Sequence, residues 1–419
     1  MSASTLEQLA PADRLPRLLL GLRNDGLAVP LEQHLRLFPA LATPRNLMSL
    51  VEASGLRGRG GGAFPTGQKL ATVAAQPGRP IVVVNAAEGE PASGKDKALL
   101  RHNPHLVLDG AVVVATAIGA REAVIAVSVD AALEIGRVEA AINERRKRRL
   151  DRVSLRIARV PARFVTGEET ALLQAVAGRR ALPSLKPPYP FERGLDGQPT
   201  LVQNAETLAH VALVARYGAG WFREAGSADA PGTALVTLSG AVARPGVHEI
   251  ELGCTLRDLL ARGGVAREPY QAVLVGGYFG GWVAAADVDS FRLLPETLGA
   301  GAVVVFPEAA CAVADCARVL RYLAGESAGQ CGPCVNGLGA IADGFERVAL
   351  GYHGADLATL ARWAKLVTGR GACKHPDGAA RFLESSLRVF SSELTRHIRH
   401  GGCGRPHRAI LPLPGAVSG

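Results

Sequence analysis

No stretch of this chain reaches the roughly 18 consecutive apolar residues that a membrane-spanning helix needs. The most apolar region, 106–127, is interrupted by Asp109, Arg121 and Glu122. The opening MSASTLEQLAPADR has neither the basic head nor the apolar middle of a secretory signal. A cytoplasmic protein is therefore expected, at most peripheral to the inner face of a membrane. A disulfide framework is missing too. The seven cysteines are an odd number, and five fall between Cys311 and Cys373, which points to metal or cluster ligation in a reducing compartment. With 48% hydrophobic and 20% charged residues the chain is too apolar for disorder, and 419 residues are too many for one core, so roughly two to four domains are expected.

The net charge of +9 raises nucleic acid as a partner, but the basic runs 145–149 and 396–408 interleave no aromatics and match no nucleic-acid module. They read as solvated surface, with docking of an acidic redox partner as the second reading and no nucleic acid.

Residues 1–50 read as short helices and turns, and 46–55 as a short amphipathic helix stopping on glycine. Short apolar runs at 79–85 (RPIVVVN), 123–129 (AVIAVSV) and 153–160 alternate with helical segments at 104–119 and 132–148. That alternation predicts a layered α/β domain with buried parallel strands. From Thr233 the pattern changes to strands around Arg244-Pro245-Gly246, a short helix with Thr255 as N-cap, and the strand AVLVGG, which describes a β-grasp-type α+β module. Beyond Ala312 only helical periodicity remains. Its four stripes, the last running from Phe382 to Ile398, predict a four-helix bundle with Asp356 and Asp377 as N-caps.

The segment GLRGRGGGAFPTGQK, 55–69, carries the first chemistry. It follows a helix, so it is not an ordinary Rossmann fingerprint, and it has no Lys-Ser/Thr pair, so it is not a P-loop. Gly58, Gly60, Gly61 and Gly62 nevertheless let backbone amides close on a ligand, and Pro65-Thr66 open a helix whose N-terminus favours an anion, with Lys69 one turn in. The bland alternative is a flexible surface loop. NAAEGEP, 85–91, follows the first buried strand, where ligands of α/β sheets bind, and its carboxylates suit ribose hydroxyls or a nicotinamide amide and would repel a 2′-phosphate; taken alone it reads equally as a solvated acidic turn. TGEET, 166–170, and LVQNAET, 201–207, are two further polar helix starts. For Cys254, Cys311 and Cys316 the reading is small buried filler.

In this order, GLRGRGG..FPTG.K, N..EGEP....KD, GEETALL, LKPP.P and N.ET resemble the NADH- and FMN-binding flavoprotein subunit of respiratory complex I and the related diaphorase subunits of NAD-linked hydrogenases and formate dehydrogenases, across roughly residues 45–400. The resemblance implies a Rossmann-like FMN/NADH domain with an N-terminal helical extension (1–225), an SLBB-like β-grasp module (231–305), a helical-bundle iron–sulfur domain (306–405) and a tail (406–419). It implies that FMN is held by Gly58, Arg59, Gly60, Gly61, Gly62, Lys69, Asn85, Gly167, Asn204 and Thr207. Glu88, Glu90 and Glu169 would border the nicotinamide and ribose, with Glu168 also among the cofactor-binding residues, Phe64 at the loop and Tyr189 toward the adenine. Ala87, Gly94, Phe164 and Gln203 depart from the family's usual Asp, Phe, Tyr and Asn. The family's cluster motif S-C-G-x-C-x-P-C reads here Ser327-Ala328-Gly329-Gln330-Cys331-Gly332-Pro333-Cys334, with Cys373 as the distant ligand. Three thiolates then stand where a [4Fe–4S] cluster takes four. Cys403 is the expected replacement; His375 or water at the fourth iron, a three-iron cluster, or loss of the cluster are the alternatives. The implied activity is NADH oxidation through FMN to an iron–sulfur cluster, then to a redox partner, ferredoxin-like or another oxidoreductase subunit. The rival readings are a non-catalytic relay or scaffold of the same fold, and a sensing or tethering protein that uses the β-grasp module.

Overall fold

The computed structural model describes residues 15–22, 25–264, 268–352, 354 and 356–414. The expectations for 1–14 and for the last five residues fall outside them. Two short helices, α1 (Leu31–Leu37) and α2 (Leu47–Ser54), lead to the glycine loop and α3 (Thr66–Ala74). The first sheet then builds up through β1 (Ile81–Ala86), α4 (Lys95–His102), α5 (Pro104–Ile118), β2 (Glu122–Ser128), α6 (Ala132–Lys147), β3 (Ser154–Val160), α7 (Glu169–Val176), β4 (Thr200–Asn204) and α8 (Ala205–Arg223). All its pairings are parallel, in the order β3-β2-β1-β4. Alternate strand residues explain the continuous apolar runs. Val82, Val84, Ile125 and Val127 face the α5/α8 core, while Val83, Val124 and Ala126 face Leu172 and Leu173 of α7.

Gly110 fixes the spacing of α5 and α8. A Cβ there would lie 1.9 Å from the Leu208 carbonyl oxygen, so only glycine lets the two backbones meet.

The second sheet comprises β5 (Thr233–Gly240), β6 (Gly246–Glu251), β7 (Tyr270–Val275), β8 (Gly281–Ala284) and β9 (Ala302–Pro307), with α9 (Leu256–Arg262) between β6 and β7. Its order is β6-β5-β9-β7-β8, with β5 and β9 parallel and the other pairs antiparallel, which is β-grasp topology. Val273, Val303 and Val305 pack under Leu256 and Leu259 of α9, whereas Leu274, Val304 and Phe306 face the C-terminal helices. Coverage on both faces is why β9 is buried throughout.

The C-terminal region holds α10 (Ala312–Gly325), a π-helical turn at Pro333–Leu338, α11 (Gly339–Ala349), α12 (Leu357–Val367), α13 (His375–Val389) and α14 (Ser391–His400). The expected fourth helix is thus two. Both halves face one core, so the apolar stripe crosses the break at Phe390, whose ring packs on Trp282 at 4.9 Å. Asp356 caps α12 through the amides of Ala358 and Thr359, and Thr255 caps α9 in a capping box. Asp377 is not a cap: α13 starts two residues earlier, and Asp377 instead accepts the Gly369 amide. The tail folds back, with Leu411 buried and the amides of Ile410 and Leu411 on Asp315.

Arg145 corrects the reading of the basic run as solvated surface. It is buried, donating to Asp109 at 2.8 Å and to Asp151 at 2.7 Å. Asp109 also meets His34 at 2.7 Å and Arg216, and these partners overcome its burial to hold its carboxyl far below the usual range. One carboxylate therefore ties α1, α5, α6 and α8. Asp109→Ala leaves two buried guanidinium groups short of their counter-charge and is expected to cost about 3–5 kcal/mol in a urea melt; a change below 1 kcal/mol (roughly the surface-pair value) would contradict the account.

Candidate functional site

The glycine loop is closed at its base by backbone. The Gly58 amide donates to the Phe64 carbonyl at 2.9 Å and the Thr66 amide to Leu56 at 3.0 Å. Between these ties Gly60, Gly61 and Gly62 are exposed, and their amides have no acceptor among the described residues. Gly61 takes φ +94°, open to glycine at little cost. The result is a rigid rim with free donors beside the α3 N-terminus, suited to an anion.

Other segments converge on it. A Cβ on Gly60 would sit 3.3 Å from the Asn204 Cβ, and the Arg59 amide donates to Thr207 Oγ1 at 2.9 Å. Lys69 Nζ lies 3.1 Å from Glu169, and Asn85 Nδ2 donates to the Gly167 carbonyl at 3.1 Å. Asn204 caps α8 through its Oδ1 and donates from Nδ2 to Asp96 at 2.7 Å. The loop, the β1 end, the 164–169 turn and the β4 end thus form one surface.

Within it the residues differ in what they have free. The Arg59 side chain is buried, reaching away from the loop to the Thr233 carbonyl and Glu206, so only its backbone belongs to the rim. Glu88 accepts from Ser93 and from the amides of Asp96 and Lys97, capping α4. Glu168 caps α7. Glu169 faces Lys69 and Lys186. Phe64 is exposed, and exposed Tyr189 stacks on Phe191 with rings 5.2 Å apart; no hydrogen bond ties either side chain to the loop among the described residues. Beneath the loop lies a buried charge cluster that sequence reasoning passed over. Lys95 Nζ is 2.9 Å from both Asp96 and Glu206, and Glu206 also accepts the Leu235 amide of β5. Burial opposes ionisation of Glu206, yet Lys95, His210 and Arg59 hold its carboxyl down to about 2.

A cavity of about 230 Å³ opens beyond the ends of β1, β2 and β3. Its walls include Glu88, Glu90, Arg163, Phe164, Tyr322 and the tail segment 412–414, but not the glycine loop. Glu90 is buried and takes the amides of Ala92 and Tyr278. Burial still wins, helped by Glu88, and pushes its carboxyl up to about 7.

Phe164 links this region to the cysteines. Its amide donates to Glu326 at 2.8 Å, Arg163 donates to the Ser327 carbonyl, and its ring meets Phe279, Tyr322 and His375 at 4.6, 6.2 and 5.8 Å. Immediately after Ser327 comes the turn with Cys331 and Cys334. These two are close enough to hydrogen-bond, and Cys373 is near enough that its charge is felt by Cys334 and that of Cys331 by it. Cys403 is not brought to this trio; it lies beside Cys311.

Because Glu90 is raised from the ordinary 4.5 to about 7, the folded state binds the extra proton between those values, and stability falls as pH rises through that window. In flavin-free protein, Glu90→Gln should gain on the wild type between about pH 5 and about pH 8, by at most about 3 kcal/mol in urea melts; a difference independent of pH would refute the assignment.

Comparison with known proteins matches this geometry. Residues 51–213 match the Nuo51 FMN-binding domain, and 314–397 the NADH-ubiquinone oxidoreductase-F iron–sulfur binding region. The second of two F-type NADH-quinone oxidoreductase subunits of Rhizobium meliloti is 35% identical over 86% of this chain and 90% of its own length. The F-type subunit of the Streptomyces coelicolor NADH-quinone oxidoreductase is 35% identical over 86% of this chain and 84% of its own. The structure of an NAD+-reducing [NiFe]-hydrogenase in the air-oxidised state superposes with TM-score 0.82 at 31% identity, over 97% of this chain and 74% of that one. The chain is a member of the F-type family of NADH-quinone oxidoreductase subunits.

Proposed function

We propose that this protein oxidises NADH at an FMN held on the glycine-loop surface and passes the electrons through an iron–sulfur centre to a partner protein. The observation that carries the reading is the convergence on one surface of free loop amides, Lys69, Asn85 and Asn204, with the Phe164 turn joining that surface to the cysteines. FMN, when bound, supplies hydride acceptance and release of electrons one at a time. The protein supplies position. The amides of Gly60, Gly61 and Gly62 and the Lys69 ammonium offer donors for a phosphate, and Asn85 and Asn204 present polar groups along the floor. Glu169, opposite Lys69, offers an acceptor for ribose hydroxyls and disfavours a 2′-phosphate. The packed rings of Phe164, Phe279 and Tyr322 give the route to the cysteines an apolar border.

The thiols of Cys331, Cys334 and Cys373 would hold that centre, and a four-iron cluster takes one further ligand. His375 Nε2 donates to the Leu323 carbonyl at 2.7 Å, so Nδ1 carries the lone pair; it is buried and has no hydrogen-bond partner. This orphaned buried acceptor, two residues along the chain from Cys373, is the candidate for the fourth position, since Cys403 lies with Cys311 instead. No helix among the described residues is long and apolar enough to cross a membrane. The partner is proposed to be another oxidoreductase subunit or a ferredoxin-like protein, in the cytoplasm or at the inner face of a membrane through that partner.

Anaerobic NADH should bleach the flavin band of FMN-loaded protein. A band that persists would return the chain to the non-catalytic relay or scaffold reading. Lys69→Ala should weaken FMN binding roughly tenfold, about 1.4 kcal/mol, read by flavin fluorescence. His375→Ala should alter the EPR signal of reconstituted protein at unchanged flavin content, and an identical signal would remove the histidine from the ligand set.

A further inference from the structure

A second group of ligand-type side chains lies away from the three-cysteine turn. One ligand atom each from Cys311, Glu393, His397 and Cys403 falls within 4.8 Å of the others, with Cys311, Glu393 and His397 buried. We propose that these four residues form a structural zinc site that anchors the C-terminal segment to the helical region.

The spacing lets the four ligand atoms close on one ion. Zinc binds sulfur at about 2.3 Å and imidazole nitrogen at about 2.0 Å, which separates tetrahedral ligands by roughly 3.3–3.8 Å. Cys311 Sγ and His397 Nε2 are 3.3 Å apart. The histidine is oriented for the task. Its Nδ1 is 2.8 Å from the Ala349 carbonyl, which can only accept, so Nδ1 carries the proton and Nε2 points its lone pair at the sulfur. Glu393 and His397 lie one turn apart on α14, so they share a face. Cys311 sits at the N-terminus of α10, where its Sγ accepts the Ala314 amide at 3.4 Å and faces His397. Charge also closes. Two thiolates and a carboxylate leave one negative charge around a divalent ion, and Arg405 Nη1, 3.0 Å from Glu393 Oε2, compensates it. The two-sulfur, one-nitrogen, one-oxygen set and the enclosed setting select zinc over magnesium or calcium.

The site has a mechanical role. Cys403 precedes Pro406, whose carbonyl takes the Cys311 amide at 3.0 Å, and the chain then runs to the cavity wall at Pro412–Pro414. Metal at Cys403 therefore fixes the start of the segment that forms that wall.

The test uses the full chain, expressed with zinc and iron supplied and purified without chelator. Elemental analysis should find about one zinc per chain, and cobalt exchange should give a thiolate charge-transfer band. Cys311→Ser and His397→Ala should lose at least nine-tenths of the zinc, while Cys331→Ser keeps it and loses iron. Where a variant fails to fold, wild-type metal content and the cobalt spectrum decide alone. Less than about a tenth of a zinc per chain, iron in its place, a Cys311–Cys403 disulfide in non-reduced peptide maps, or zinc that follows Cys331 would each overturn the proposal. None of these readouts depends on flavin or NADH.

Discussion

The buried carboxylate of Glu206 is the constraint on which the site's architecture rests. It stands at the start of α8, receives the Leu235 amide of the second sheet, and faces Lys95 and Arg59. Arg59 belongs to the glycine loop and Lys95 to α4, so one fully buried group positions loop, helix and neighbouring sheet together. Desolvating these charges is expensive, and mutual pairing with backbone donors offsets it. Such a cluster tolerates few alternative packings, which makes it a geometric standard for the surface above it.

Much of the fold was legible because its periodicities are uncontaminated. The runs IVVV and AVIAV are apolar throughout, since each strand is covered on both faces. The glycine loop was legible for a different reason: consecutive glycines after a helix have few structural uses, and their free amides are what the structure shows. The C-terminal break at Phe390 was not legible, because a stripe reports which side is buried and not whether the axis continues. Arg145 was misread for a related reason. In a run of five basic residues nothing local marks the one that turns inward to Asp109.

The site residues show where spacing stops informing. Glu88, Glu90 and Glu168 sit in motifs that place them by the ligand, yet their carboxylates receive backbone amides that no sequence pattern specifies. Cys311 and Cys403 are 92 residues apart by their numbering, and only the return of the tail brings them together. His397 carries a weak signal in hindsight, four residues after Glu393 on a helix face that also bears Leu394.

The aromatic packing of Phe164 against Phe279, Tyr322 and His375 has a further consequence. These rings join the 164–169 turn to α10 and α13 and form part of the cavity wall, with Arg163 and Glu326 tied down beside them. When charge shifts across such a medium, little must relax afterwards, because fixed groups need not reorient as solvent would. The ring cluster therefore sets packed, weakly polar contacts between the cavity and the cysteine side, where a moving charge has less around it to reorganise than in water.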